Sequence, residues 1–130
     1  MDNAVLHECL AAAFAGRMTF PESVGRMMAT GVERYDADLT RLERRHYGLD
    51  GTTHLEVMPL ADAPAIPEAF SSPGVQSAIT AIQRKEIAYP DFLRRIMAAG
   101  TAGYSVFLNG RKAIYLGRNG DFHVEPFPAP

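Results

Sequence analysis

The feature that most constrains this chain is an internal repeat, in which Pro21 and Pro90 mark the same place in two segments 69 residues apart. With that offset held constant and without a gap, twelve of the forty-two positions in 18–59 and 87–128 are identical. Average composition would give roughly two or three identities. The identical pairs are Pro21/Pro90, Arg26/Arg95, Met28/Met97, Ala29/Ala98, Gly31/Gly100, Tyr35/Tyr104, Leu39/Leu108, Gly48/Gly117, Gly51/Gly120, His54/His123, Glu56/Glu125 and Pro59/Pro128. The chain of 130 residues is therefore predicted to contain two copies of one structural unit.

Each copy is predicted to begin with two helices. The first helix has apolar residues at helical spacing in both copies, namely Leu6, Leu10 and Ala13, and Val75, Ile79 and Ile82. The second helix is expected to start near Pro21 or Pro90. Proline suits the first helical turn, because its missing N–H has no partner to lose there.

These second helices are predicted to differ at their starts and to agree at their ends. Thr19 and Glu22 have the spacing of a capping box, whereas the second copy has Ala88 in place of the threonine. Gly31 and Gly100 follow the helices, where a left-handed residue commonly ends a helix.

Three short strands in a meander are predicted to complete each copy. Asn109–Gly110 and Asn119–Gly120 indicate tight hairpin turns, because both residue types tolerate positive φ, and Asp50–Gly51 marks a matching turn in the first copy. The strands expected in the first copy are 33–39, 42–47 and 53–58.

The predicted fold class is α+β, with residues 1–130 as a single domain. Repeat 1 spans about 2–59, a linker about 60–73, and repeat 2 about 74–128. A copy of roughly 65 residues buries little apolar surface alone, so the copies are expected to share a mainly antiparallel sheet of about six strands. Four helices are expected on one face under a pseudo-twofold axis. The pattern leaves the strand order between the copies open.

The strand alternation predicts which side chains face the helices. Tyr35, Ala37 and Leu39 alternate with Arg34, Asp36 and Asp38. Because successive residues of a strand point to opposite faces, the first set is expected in the core and the second in water.

Composition narrows the class of partner and compartment. The net charge of −2 and the pI near 6.1 argue against nucleic acid or an anionic membrane as the partner. The single cysteine, Cys9, indicates a reducing compartment, and the N-terminus lacks the basic start and apolar core of a signal peptide. No apolar run approaches the ~18 residues of a membrane helix. We therefore expect a cytoplasmic protein.

The repeated H-x-E motif is the main candidate for chemistry. On a strand, His54 and Glu56 share a face, as do His123 and Glu125. If the two strands lay side by side, these four side chains would supply two imidazoles and two carboxylates to one divalent metal such as zinc. The alternative is a duplicated polar pair that makes hydrogen bonds between strands or to solvent, with no cofactor.

A second candidate is a ligand or partner surface formed by Arg34, Arg45, Tyr35 and Tyr104. The first two belong to a group of basic residues, Arg34, Arg41, Arg44 and Arg45, that we expect on the exposed face of the sheet. Interleaved carboxylates favour cross-strand ion pairs there over an anion-binding surface. The two tyrosines are expected on the core face, where they pack a ring and hydrogen-bond to backbone or else face a ligand pocket.

Several motifs resemble those of a family of small bacterial and prophage-encoded proteins, domain of unknown function 1398. The resemblance rests on "MTFPESV", "GVERYDADL", "YPDFLRRIMAAG", "GRKAIYLGR" and "HVEPFP". It implies an α+β fold and a bacterial or prophage origin, and it names no reaction.

The sequence contains no catalytic triad, phosphate loop or recognised metal spacing. The leading interpretation is therefore a non-enzymatic interaction or regulatory module for a protein or small-molecule partner. The alternative is a metal-binding protein or metal-dependent enzyme that uses the H-x-E pairs.

Overall fold

A computed structural model of the chain describes residues 1–129. Each half forms two helices followed by three strands, as the repeat predicts. The elements are α1 (Asn3–Phe14), α2 (Phe20–Ala29), β1 (Val32–Asp38), β2 (Glu43–Gly48), β3 (Thr53–Val57), α3 (Ser72–Gln83), α4 (Tyr89–Ala98), β4 (Thr101–Phe107), β5 (Lys112–Gly117) and β6 (Phe122–Pro126). None of the helices within residues 1–129 has the length and apolar character needed to cross a membrane.

The six strands form one antiparallel sheet in the order β3-β2-β1-β4-β5-β6. The two copies join through β1 and β4, where Asp36 lies opposite Ser105. These two residues occupy the same position in the two copies, so the pseudo-twofold axis passes beside them. The predicted six-stranded α+β architecture is confirmed, and the structure supplies the strand order that the repeat left open.

The helices cover one face of the sheet and share a core with it. Tyr35 and Tyr104, from β1 and β4, are buried in the same cluster as Met27 of α2 and Leu93 of α4. Arg34, on the other phase of β1, is only half-buried. The alternation predicted for β1 is therefore confirmed.

The helix ends follow local chemistry. Asp2 and Ser71, at equivalent positions, cap α1 and α3 through their side-chain oxygens. Thr19 forms the predicted capping box at the start of α2, whereas Ala88 leaves α4 without a side-chain cap.

The first hairpin turn of each copy differs from the prediction. Neither Asn109 nor Gly110 has positive φ; the left-handed residues are instead Leu42 and Arg111, at 55° and 54°. The loop is longer than a two-residue turn, and its last residue takes the left-handed conformation as the chain enters the next strand. Leu42 and Arg111 are equivalent by the 69-residue offset, so this geometry is itself duplicated.

Candidate functional site

The two H-x-E motifs lie on opposite edges of the sheet. His54 and Glu56 are on β3, whereas His123 and Glu125 are on β6, five strand spacings away. At about 4.8 Å per spacing, the two pairs are separated by roughly 24 Å. The prediction that one metal ion is shared by both pairs of the chain is therefore wrong. Among residues 1–129, no group of three or more His, Cys, Asp or Glu side chains is arranged to hold a metal ion.

In the first copy, Glu56 sits between two imidazoles. His7 Nδ1, from α1, lies 2.7 Å from one carboxylate oxygen, and His54 Nε2 lies 2.5 Å from the other. Burial alone would raise the pKa of Glu56, but the hydrogen bonds with His7 and His54 lower it below its ordinary value. The carboxylate is thus held ionised beside the core.

In the second copy, the histidine of the motif contacts uncharged side chains of α3. His123 contacts Ser72 through Nδ1 at 2.6 Å and Gln76 through Nε2 at 3.1 Å. Its own Glu125 is 3.8 Å away. Gln76 occupies the position of His7, so both copies have a polar contact between the first helix and the third strand, although His7 contacts Glu56 and Gln76 contacts His123. This supports the interpretation of the motif as a duplicated structural pair.

The predicted surface of two arginines and two tyrosines is divided by the sheet. Tyr35 and Tyr104 are buried beneath the helices, so they form no surface with Arg34 and Arg45. Their rings pack edge to face with centroids 6.4 Å apart.

Arg44 also differs from the prediction, because it points into the core with a relative exposure of 4%. Alternation along β2 places Arg44 and the exposed Arg45 on opposite faces. The guanidinium of Arg44 stacks on the Tyr35 ring, 3.8 Å from its centroid, and Nη2 donates to Met27 Sδ at 3.7 Å. Its Nε atom is buried without a hydrogen-bond acceptor, and within residues 1–129 Arg44 makes no ion pair.

His46 lies two residues further along the same face and is 1% exposed. Burial, and then the positive charge of Arg44, lower its pKa to about 3. His46 is therefore neutral at ordinary pH. Its Nδ1 atom is buried without a partner.

A group of tyrosines completes this polar part of the core. The hydroxyls of Tyr89 and Tyr104 hydrogen-bond to each other. Burial raises the pKa of Tyr35 to about 12 and that of Tyr104 well above its usual range. The hydroxyls of Tyr35 and Tyr104 therefore stay protonated, and neither neutralises Arg44.

The opposite face of the sheet, which we call the open face, presents three rows of side chains. The middle row is Leu55, Arg45, Asp36, Ser105, Ile114 and Val124, from β3 to β6. The outer rows are Thr53, Tyr47, Arg34, Phe107, Lys112 and Pro126, and Val57, Glu43, Asp38, Gly103, Leu116 and Phe122. Charged residues concentrate on β1 and β2, and apolar residues on β5 and β6 and, at the other edge, at Leu55 and Val57 of β3.

The apolar side of the open face is a block of four residues on two strands, Ile114, Leu116, Phe122 and Val124, which we call the apolar patch. Ile114 pairs across the strands with Val124, and Leu116 with Phe122. Phe122 is 65% exposed. Sequence reasoning missed this patch, although the alternation on β5 and β6 contained the signal.

Some charged side chains on the open face have hydrogen-bond or ion-pair partners, and others have none. Asp36 accepts from Ser105 at 2.7 Å and Arg34 at 3.5 Å, Asp38 accepts from two backbone N–H groups of the following turn, and Glu43 pairs with Arg41. Arg45 and Lys112, by contrast, make no ion pair within residues 1–129. Asp38 makes no ion pair either, so among residues 1–129 the open face has two cations and one carboxylate without an ion pair.

Neither the H-x-E pairs nor the lone cysteine forms an activated nucleophile among residues 1–129. The lone thiol, Cys9, is buried on α1, and burial raises its pKa, which keeps it protonated and unreactive. His54 with Glu56 could transfer a proton, but no hydroxyl or thiol lies in hydrogen-bond contact with this pair.

Comparison of the chain with models of known protein families and with curated proteins finds no match.

Proposed function

We propose that this protein is a non-enzymatic interaction module that binds an acidic, amphipathic segment of another protein on its open face. The observation that carries the proposal is the apolar patch beside unpaired cations. Exposed contiguous apolar surface of this kind is typical of protein-binding sites. Its members are held on a regular sheet, so binding needs no rearrangement of the backbone.

The unpaired charges favour this partner chemistry. Lys112 shares β5 with Ile114 and Leu116, so an acidic residue beside an apolar stripe would reach both the cation and the patch. Arg45 offers a second cation in the middle row of the face. A basic segment would find one carboxylate without an ion pair, that of Asp38, and its Oδ1 atom already accepts from two backbone N–H groups.

A second copy of the chain fits the open face less well. In a symmetric dimer the same surface meets itself. The apolar patches would match, but each copy would bring two unpaired cations, Arg45 and Lys112, against a single carboxylate without an ion pair, Asp38. We therefore favour a different protein as the partner.

The test is titration of the labelled protein by NMR with two designed helical peptides that carry the same Leu/Ile stripe. One peptide has glutamates and the other lysines on its polar face. We expect the acidic peptide to shift amide signals of β4, β5 and β6, and its affinity to fall as salt rises. Phe122→Asp should weaken binding at least about tenfold, the loss of one well-buried contact.

The repeat offers a matched control, because Thr53 occupies the position of Phe122 in the first copy. Thr53→Asp adds the same charge to the other edge of the open face and should leave binding within about twofold of the wild type. Peptide shifts confined to the helical face, or equal binding of both peptides, would contradict the proposal. A dimer that Phe122→Asp dissociates would identify a second copy as the occupant instead.

The proposal that the protein is not an enzyme has a separate test. Turnover of any substrate in a hydrolase or transferase panel, with loss in His54→Ala and His123→Ala, would overturn it. A regulatory role in the cytoplasm, and a bacterial or prophage origin, are proposed from the single cysteine and from the family resemblance.

A further inference from the structure

A buried guanidinium without a counter-charge is the most unusual feature of the core. Transfer of a charged group from water into a protein interior is costly unless it is paired and hydrogen-bonded. Arg44 is 4% exposed, and its Nε atom has no acceptor. The stack on Tyr35 and the contact with Met27 Sδ compensate only in part, because thioether sulfur is a weak acceptor.

The chain contains a carboxylate that could neutralise Arg44 but does not. Glu56 lies directly opposite Arg44 on the neighbouring strand β3. Its two oxygens are held instead by His7 and His54. In the second copy, the residue opposite Glu125 is Ala113, so the arginine is specific to one copy.

The polar groups that surround Arg44 are the hydroxyls of Tyr35, Tyr89 and Tyr104, and within residues 1–129 no carboxylate pairs with it. The Tyr89 and Tyr104 hydroxyls are bonded to each other, and the high pKa of Tyr104 keeps its proton in place. Tyr89 is half-buried and packs on Phe14 at the end of α1, with ring centroids 5.3 Å apart. The polar cluster thus extends from the core toward the surface between α1 and α4.

We propose that Arg44, with the hydroxyls of Tyr35, Tyr89 and Tyr104, binds a small monovalent anion between the helices and the sheet. The guanidinium Nε–H donates one hydrogen bond, the Tyr35 hydroxyl donates a second, and whichever of Tyr89 and Tyr104 accepts in their mutual bond donates a third. A halide and a small carboxylate share this chemistry, since each accepts several hydrogen bonds and carries one negative charge that would balance the positive charge of Arg44. The site is distinct from the open face, because it lies on the other side of the sheet.

The test measures unfolding of the full chain in urea at constant ionic strength, as gluconate is replaced by chloride or, in a parallel series, by formate. A ligand that binds only the folded state lowers the unfolding constant by the factor 1 + [L]/Kd, about 100-fold at 100 times Kd. We expect wild-type protein to be stabilised by at least one of the two anions. Chloride and formate distinguish the halide from the carboxylate as the preferred ligand.

Two variants identify Arg44 as the site. Arg44→Met keeps much of the side-chain volume without the charge and should abolish the anion response. Arg45→Met removes the adjacent arginine, which points to the open face, and should retain the full response. An equal response in wild type and Arg44→Met, or no response of wild type to either anion, would overturn the proposal.

Glu56→Gln tests an alternative to anion binding, in which Glu56 turns toward Arg44 in solution and neutralises it. The variant should keep the anion response of the wild type. A response that appears only in Glu56→Gln would mean that Glu56 is the counter-charge, and would overturn the proposal. If Arg44→Met fails to fold, wild-type crystals soaked in bromide or in formate decide: an anomalous bromide peak or formate density beside the guanidinium supports the site, and the absence of both refutes it.

Discussion

Ser105 donates a hydrogen bond of 2.7 Å to Asp36 across the centre of the sheet, and the two residues are the same position of the two copies, 69 residues apart. A strict duplication would place two identical side chains opposite each other here. Two aspartates in that place would repel, because like charges directly opposite on neighbouring strands are destabilising. The two copies have diverged at the pseudo-twofold axis so that one residue donates and the other accepts.

Restoring the symmetry at this point should destabilise the protein. Ser105→Asp faces Asp36 with a second carboxylate, and we expect a loss of about 0.5–1 kcal/mol in the free energy of unfolding. The loss should shrink in high salt, because the pair is partly exposed and screened. Ser105→Asn, of similar size and neutral, is the control for urea unfolding. A loss that is the same for both variants would show that charge is not its cause.

His46 should make stability depend on pH. Its pKa is about 3 in the folded protein, against 6.5 as its ordinary value, so below pH 6.5 the unfolded chain binds one more proton. Stability is therefore retained above pH 6.5 and lost progressively as the pH falls toward 3. At pH 4.5 this amounts to about 2–3 kcal/mol.

His46→Phe removes that titration and should flatten the stability profile between pH 6.5 and 4.5. The equivalent residue of the second copy is the aromatic Tyr115. Tyr115→Phe is the matched control, because burial raises the pKa of that tyrosine further from the window. A profile for His46→Phe as steep as that of the wild type would exclude His46 as the titrating group. Measurement above pH 4.5 keeps the loss from Glu56, whose lowered pKa acts at more acidic pH, out of the comparison.

The two helix-ending glycines should differ in their tolerance of alanine. Gly31 and Gly100 both have positive φ, at 89° and 98°. A Cβ at Gly100 would lie 2.2 Å from the carbonyl oxygen of Ala69, whereas one at Gly31 would meet no atom within 4 Å. Gly31→Ala should therefore cost about 1 kcal/mol of backbone strain, and Gly100→Ala about 1–3 kcal/mol more from overpacking. Equal losses in urea unfolding would show that residues 69–70 shift without cost.

The unequal helix starts predict reciprocal effects. Thr19→Ala removes the capping box of α2 and should cost about 1 kcal/mol. Ala88→Thr supplies the missing cap to α4 at an exposed position and should gain a similar or smaller amount. Thermal unfolding of both variants provides the measurement. Unchanged stability of Ala88→Thr would mean that its side chain does not reach the backbone N–H at the start of α4.

Local patterns were sufficient for most of the fold. The 69-residue offset transferred the clear hairpin signals of the second copy to the first, and the observed strands Glu43–Gly48 and Thr53–Val57 lie close to those predicted. The prediction of a tight two-residue first turn was wrong, because the dipeptide Asn-Gly indicates a turn without specifying its length. Its left-handed residue, Arg111, has no signature of its own.

The candidate sites were predicted less well, because they depend on which strands are neighbours. The sequence identified the repeated H-x-E motif, but only the strand order showed that β3 and β6 are opposite edges. The clustering of arginines suggested a basic surface, and the pleat divided it by turning Arg44 inward and Arg45 outward.

By itself, the sequence determined that the protein is a duplicated unit of two helices and three strands, because periodicity, caps and turns act within a few residues. Only the tertiary structure decided that β1 pairs with β4, which joins the copies into one sheet and brings Asp36 beside Ser105. Because the helices cover only one face of that sheet, the pleat leaves the apolar patch on the open face and places Arg44 in the core. Contacts between residues 69 apart depend on how whole faces are buried together, and that is a property of the complete chain rather than of any short segment.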